Sequence, residues 1–439
     1  MRRKDLFHKD LFHKDLFQRN LFQKTLKQIS HTGLAAVAAV TMAWGSSPVL
    51  TQAAELPAAL PQQPVAEIPA AGTPAAGGAA ADIPASVGVP TAETPIAGVP
   101  AVGTPTAETP VAGLPTVEPL PGYVRSVYTN EWIPAEQAAV RPIAIMMPTD
   151  KVAQPSYGIS NAKVLYEIME EGDISRQMAI IDNWTGLSKI GNVRSCRAYY
   201  IPEATEWDSI LVHFGGVFYM KDRITAADIT NISGTSQYGT GGGAPGSNAF
   251  FRTSDRKAPH NAYASAAGIM TACTQLGYPV NLREGFYNPK HFTFAVGVNT
   301  LDQYGAAAAT ANNINLSNVF PYTKSAFTYN PTDGMYYKSI HGKAQKDGTN
   351  GEQLKFANVI VQNTKWAKVD AKGYLAFQNY DTTEDGYFFT KGKCIHVTWQ
   401  KIGDYTPTVY YDDLGNEIQL NEGKTYIAIA QKGRAVAFN

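Results

Sequence analysis

From position 55 to about 120 the chain consists almost entirely of Pro, Ala, Gly, Thr and Val. The hexapeptide Pro-Thr-Ala-Glu-Thr-Pro stands at 90–95 and again at 105–110, a period of fifteen residues. No Phe, Tyr or Trp occurs in this stretch. Without large apolar side chains a segment cannot bury enough surface to offset its conformational entropy, and frequent Pro favours extended polyproline-type backbone. Residues 54–121 are therefore expected to be a disordered tether. Whatever folds must be built from the chain beyond Gly122, where aromatic and charged residues begin. That leaves about 318 residues, enough for two domains of ordinary size.

The segment before the tether sets the compartment. Residues 1–31 are polar and basic, with a Lys-Asp-Leu-Phe unit recurring every five residues, a period that fits neither helix nor strand. The apolar run Leu34–Trp44 is too short for a bilayer-spanning helix, which needs roughly 20 residues. Small residues follow, ending in Thr51-Gln52-Ala53-Ala54. A basic region, a short apolar run and a small-residue end mark a secretory signal peptide. Residues 1–53 read as that signal, with cleavage near Ala53, and an uncleaved signal anchor is the alternative. The protein is expected to be exported, extracellular or associated with the cell envelope.

Charge and cysteine content narrow the partners. The 37 basic and 37 acidic residues balance, and removing the signal leaves 29 against 34. A mildly acidic chain has no general attraction to nucleic acid, and that partner class is discarded. Cys196, Cys273 and Cys394 are far apart and odd in number, so at least one is free or pairs outside the chain. No Cys-x-x-Cys occurs, no Cys follows the apolar run, and metal-ligand residue types are not clustered. No cofactor or metal is expected.

The folded part divides by pattern. Pro142–Met147, Val164–Met169, Gln177–Ile181 and Ile210–Phe214 are short apolar runs bounded by Gly, Pro or charge, and they predict buried strands. Ala198–Glu206 and Ala262–Leu276 predict helices. Beyond His291 the runs at 326–329, 335–338, 358–362, 386–389, 394–399, 408–411 and 425–429 alternate or are rich in β-formers, with turn signals such as Asp333-Gly334 and Asp385-Gly386 between them. The expected fold class is α+β. An α/β-type domain at 122–285, a sheet covered by helices, precedes a mainly antiparallel β-domain at 286–439.

The polar residues that could do chemistry cluster near strand ends of the first half, where α/β folds place ligand sites. They are Glu167, Glu170 and Glu171 with Arg176; Arg194, Ser195 and Arg197; His213; and Arg252 and Arg256 with His260. Arginine offers forked donors for phosphate or carboxylate. The competing reading is internal pairing of these arginines with the nearby glutamates. Ser195 as a nucleophile would need His213 or His260 as base, but no Gly-x-Ser-x-Gly or triad spacing is present, and Ser195 could equally cap a helix. Glu167 and Glu171 would be the carboxylate pair of a glycan hydrolase. The Gly-rich stretch 239–246 lacks the Gly-Lys-Ser/Thr ending of a phosphate-binding P-loop.

Several longer stretches resemble one family. Arg141-Pro-Ile-Ala-Ile-Met-Met, Leu165-Tyr-Glu-Ile-Met-Glu-Glu-Gly, Ile190-Gly-Asn-Val-Arg-Ser-Cys-Arg, Leu211-Val-His-Phe-Gly-Gly and Arg256-Lys-Ala-Pro-His-Asn-Ala-Tyr are similar to the first domain of the YerB-like bacterial envelope proteins. Lys338-Ser-Ile-His-Gly-Lys, Phe356-Ala-Asn-Val-Ile-Val-Gln, Val397-Thr-Trp-Gln-Lys and Leu420-Asn-Glu-Gly-Lys-Thr-Tyr-Ile resemble its second domain. The resemblance covers roughly 140–435 and implies two domains and membrane attachment as a lipoprotein, with no settled activity. This chain departs from it in lacking the lipid-anchor Cys. The order strand, Arg-Ser-x-Arg, strand, Gly-Gly also resembles, in arrangement only, the LytR–CpsA–Psr transferases, which hold a lipid pyrophosphate with arginines.

These readings point to an envelope protein that binds an anionic wall polymer or lipid head group through an arginine-rich cleft. A cell-wall enzyme, either a phosphate-handling transferase or a glycan hydrolase, is the alternative. A scaffold that docks an envelope protein partner on its β-half is another.

Overall fold

The computed structural model describes residues 120–241 and 243–439. The signal and tether readings lie outside the described residues. Among the described residues no helix is long and apolar enough to cross a membrane.

The architecture is α+β, with many strands, few helices and mostly antiparallel sheets. Its centre is an eleven-stranded sheet. In chain order the strands are β1 (Ile143–Pro148), β2 (Val164–Met169), β3 (Ser175–Ile181), β4 (Ile210–His213), β5 (Asn231–Ser233), β6 (Ala309–Thr310), β7 (Asn358–Thr364), β8 (Thr382–Thr390), β9 (Lys393–Lys401), β10 (Val409–Tyr411) and β11 (Thr425–Gln431). The spatial order is β6-β9-β8-β7-β11-β2-β3-β1-β4-β5, with β10 alongside β9.

The order follows from side-chain pattern. β1, β2, β3 and β11 are buried at every position, as apolar runs covered on both faces require. β8 and β9 alternate along much of their length and leave one face partly in solvent. Gly386 in β8 stands opposite Gln362 of β7, and a Cβ there would come within 2.2 Å of the Val361 carbonyl oxygen. Only glycine lets the two strands approach that closely.

The predicted strands are present, and Val164–Met169 has the same bounds. The two expected helices are shorter than their sequence runs. Ala198–Tyr200 is a 3-10 turn leading into the five-residue helix Ile201–Thr205. The segment expected to be helical from Ala262 begins as a strand, Ala262–Ala264, and becomes helical at Ala266–Leu276. The switch is made by Ser265, whose hydroxyl accepts from the Gly268 amide, and Gly277 ends the helix at φ 67°.

The division near residue 285 is not a division of packing. β11, from the end of the chain, lies parallel to β2 on one side and to β7 on the other, with Thr425 opposite Val164 and Ile429 opposite Ile168. The two halves thus share one sheet, and the described residues fall within a single compact unit. A smaller antiparallel sheet of 313–315, 326–330, 335–340 and their short neighbours packs against it through Phe327 and Phe356, whose rings lie 4.7 and 5.7 Å from that of Tyr426 in β11. Cys196, Cys273 and Cys394 are buried and free.

Candidate functional site

The turn between β2 and β3 carries Glu170-Glu171-Gly172-Asp173, and antiparallel pairing returns the chain so that Arg176 stands opposite Ile168. The segment 192–197 runs beside this turn. Arg176 pairs with Glu170 at 2.8 Å and donates to the Ser195 carbonyl and hydroxyl oxygens, both at 2.8 Å. Arg197 clamps Glu171 with Nε at 2.8 Å and Nη2 at 2.6 Å, lies 3.5 Å from Glu170, and donates to Ser195 Oγ at 2.9 Å. One serine hydroxyl therefore accepts from two guanidinium groups.

Electrostatics follow from this burial. Desolvation raises the Glu170 carboxyl above its ordinary range even though Arg176 and Arg197 oppose it. Desolvation alone would lower the Arg197 pKa, but Glu170 and Glu171 outweigh it and the group is raised. Glu170 Oε1 and Arg176 Nε are buried with no hydrogen-bond partner among the described residues. Two of the arginines expected to meet a ligand are thus held by glutamates of the same turn.

Arg194 differs. It is half-buried, its Nη1 lies 3.0 Å from His260 Nδ1, and no carboxylate stands within ion-pair distance among the described residues. Desolvation, with the repulsion of Arg176, lowers its pKa. Desolvation and the neighbouring Arg194 lower that of His260 as well. Since Arg194 can only donate, His260 Nδ1 accepts, and the proton of the neutral ring sits on Nε2. Asp150 has a buried oxygen, Oδ2, without a hydrogen-bond partner among the described residues.

The other expected residues lie apart from this group or serve the scaffold. Arg256 donates to the carbonyls of Ala153 and Pro155 and pins that turn. His213 is buried, bridging the Gly215 carbonyl and the Asn231 side chain at 2.6 Å each, and burial lowers its pKa. It contacts neither Ser195 nor solvent, so it is not placed as a base for that serine. Glu167 is also fully buried, and receives Ser175, Gln177, Ser325, Tyr426 and Lys338. Glu171 by contrast is partly exposed on Arg197. The two carboxylates do not face a common opening, so the geometry does not support them as a hydrolase pair.

Lys338 was missed, although its strand carries the signal. In Met335–Ile340 the buried positions are Tyr336, Lys338 and Ile340, an alternation that puts the lysine on the core face.

Comparison with known proteins bears on this arrangement. Residues 128–279 match the family model described as "Protein of unknown function (DUF3048) N-terminal domain", and residues 315–427 match its C-terminal domain. The chain is 26% identical over 289 residues to "Putative lipoprotein YerB" of Bacillus subtilis (strain 168), covering 66% of this chain and 81% of that protein. The chain belongs to the YerB-like family. A crystal structure of YerB protein from Bacillus subtilis superimposes with a TM-score of 0.61 at 23% identity, covering 72% of this chain and 99% of that one. The first family model ends at 279 and the second begins at 315, and strands from both matched regions share one sheet.

Proposed function

We propose that this YerB-like protein is an envelope-located binding protein that holds an anionic group, phosphoryl or carboxylate, of a wall polymer or lipid head group at Arg194, Ser195 and His260. The observation that carries the reading is the half-buried Arg194, a guanidinium without a carboxylate partner among the described residues, beside two arginines that have theirs. Three kinds of donor are available there. Arg194 keeps N–H groups beyond the one given to His260. His260 Nε2 carries a proton. Ser195 Oγ accepts from Arg176 and Arg197, which leaves its own O–H to donate. Arg176 and Arg197 act from behind the serine as positioning residues. Envelope location is supported by the relative whose name describes a lipoprotein.

The test is a titration of pyrophosphate and of undecaprenyl phosphate into the full chain and its Arg194→Gln variant, read by calorimetry and thermal shift. Charge-assisted hydrogen bonds to arginine contribute about 1.5–3 kcal/mol, so the variant is expected to bind roughly 10- to 100-fold more weakly with little change in Tm. No binding by the wild type, or unchanged binding by the variant, would overturn the reading.

A further inference from the structure

A second site lies on another part of the fold. Ser160 and Ala162, between β1 and β2, line a cleft of about 280 Å³ together with Tyr337, the segment Glu352–Phe356 and Lys424 at the entry to β11. The walls are apolar where Ala162, Leu354 and Phe356 line them, with the half-buried ring of Tyr337 beside them. The cleft is near the lower end of the size range of small-molecule sites, and its mix of apolar wall and few polar groups is the usual composition.

Charge at the cleft is unevenly matched. Lys355 has Asp333 at 3.1 Å, and the nearby Lys163 has Glu131 at 3.6 Å. The Lys424 ammonium donates to the Ser160 carbonyl, and no carboxylate lies within ion-pair distance of it among the described residues. An ammonium has three donors, and a carbonyl uses one. Burial lowers the Lys424 pKa, and Lys163 and Lys355 add to this while Glu131 and Glu352 oppose it. A part-buried cation left short of acceptors in a cleft with a partly apolar wall suits a single negative charge attached to an apolar body.

We propose that this cleft binds a small amphipathic carboxylate, its carboxylate on Lys424 and its apolar part against Ala162, Leu354 and Phe356. A carboxylate fits better than a phosphate dianion, because Glu352 also lines the cleft and would repel the second charge. The site is separate from Arg194 and does not rest on the reading given there.

The probe is 4-phenylbutyrate, titrated into the full chain and followed by calorimetry, with 4-phenylbutylamine and pyrophosphate as controls. Wild type is expected to bind the carboxylate, Lys424→Met to lose at least tenfold in affinity, Lys424→Arg to retain binding, and Arg194→Gln to bind as wild type. Binding is also read without a variant: after reductive 13C-methylation of the lysines, the Lys424 resonance should shift on adding 4-phenylbutyrate. A wild type that ignores 4-phenylbutyrate, a Lys424→Met variant that binds it as well as wild type does, a preference for the amine, or a methyl resonance that does not move overturns the proposal. Loss of pyrophosphate binding in Arg194→Gln with 4-phenylbutyrate binding intact would show the two sites to be distinct.

Discussion

Glu167 of β2 and Lys338 of the smaller sheet pair at 3.1 Å with neither side chain exposed to solvent. The carboxylate also accepts from Ser175 at 2.7 Å, Ser325 at 2.8 Å, Gln177 at 2.9 Å and Tyr426 at 2.9 Å. Burial by itself would raise the Glu167 pKa, but Lys338 and these donors outweigh it and keep the group ionised. Residues from both halves of the chain thus converge on one charge. Removing Lys338 strands that charge in the core. Lys338→Met is expected to cost about 3–5 kcal/mol, the usual penalty for breaking a buried pair, measured by urea denaturation at pH 7. The double variant Glu167→Leu/Lys338→Met should recover much of the loss. A single variant as stable as wild type would remove the pair from the account of how the halves are joined.

Arg197 discriminates between a structural and a ligand-facing arginine. Its bidentate contact to Glu171 and its approach to the buried Glu170 make it structural. Arg197→Met is expected to destabilise by about 3 kcal/mol, the lower end of the buried-pair range, because Glu171 keeps partial access to water. Arg194→Gln should change stability by less than about 1 kcal/mol, since no carboxylate is stranded. Thermal melts of the two variants side by side decide this. Equal destabilisation, or the reverse order, would contradict the assignment.

The sequence carried the strands more clearly than the way they assemble. Runs such as Val164–Met169 and Thr425–Gln431 are apolar at nearly every position, which signals a strand buried on both faces. Nothing local in Thr425–Gln431 says that its neighbours are Val164–Met169 and Asn358–Thr364, because strand order is set by long-range pairing. The helix expected at 262–276 is shorter for a related reason. Periodicity around 262–276 continues past Ser265, and only the hydroxyl cap at that residue separates strand from helix. At the site, the residue types of the arginine group were legible, and so was the possibility of glutamate pairing. Which arginine would be left over was not, because the turn Glu170–Asp173 decides it by placing two carboxylates on Arg176 and Arg197 and none on Arg194.

A pH dependence follows from a second buried carboxyl. Glu203 is fully buried, and desolvation with the nearby Glu206 holds its pKa well above the ordinary carboxylate range. Glu206 stays ionised, because Lys401 at 2.7 Å outweighs burial. For Glu203 the folded pKa is raised, so in this window the folded state binds the proton and the unfolded state does not. Its contribution to stability is present below the unfolded value and is lost as pH rises, by up to about 1.4 kcal/mol per pH unit. Glu203→Gln keeps an acceptor for Asn379 Nδ2, now at 2.8 Å, and cannot ionise. The variant should match wild type near pH 5 and gain on it steadily to pH 8 in urea denaturation. Parallel curves across that range would show that Glu203 is not held neutral.

The shared sheet makes a last prediction about dissection. Read from sequence, residues 286–439 would be a separate, mainly antiparallel β-domain. In the fold, β11 is hydrogen-bonded to β2 along Thr425–Ile429 and is buried at every position. Cutting near residue 285 removes β2 and exposes β11 as a long apolar edge strand, the kind of edge that pairs with other chains. It also strips Glu167 from Lys338 and leaves a buried ammonium without its carboxylate. The fragment 286–439 is therefore expected to aggregate or to lack a cooperative melt by circular dichroism. Fragments 122–285 and 286–439 expressed together should associate and regain one, since the missing strand is then supplied in trans. A soluble fragment 286–439 that melts cooperatively by itself would mean that β11 does not depend on β2, and would restore the two-domain reading.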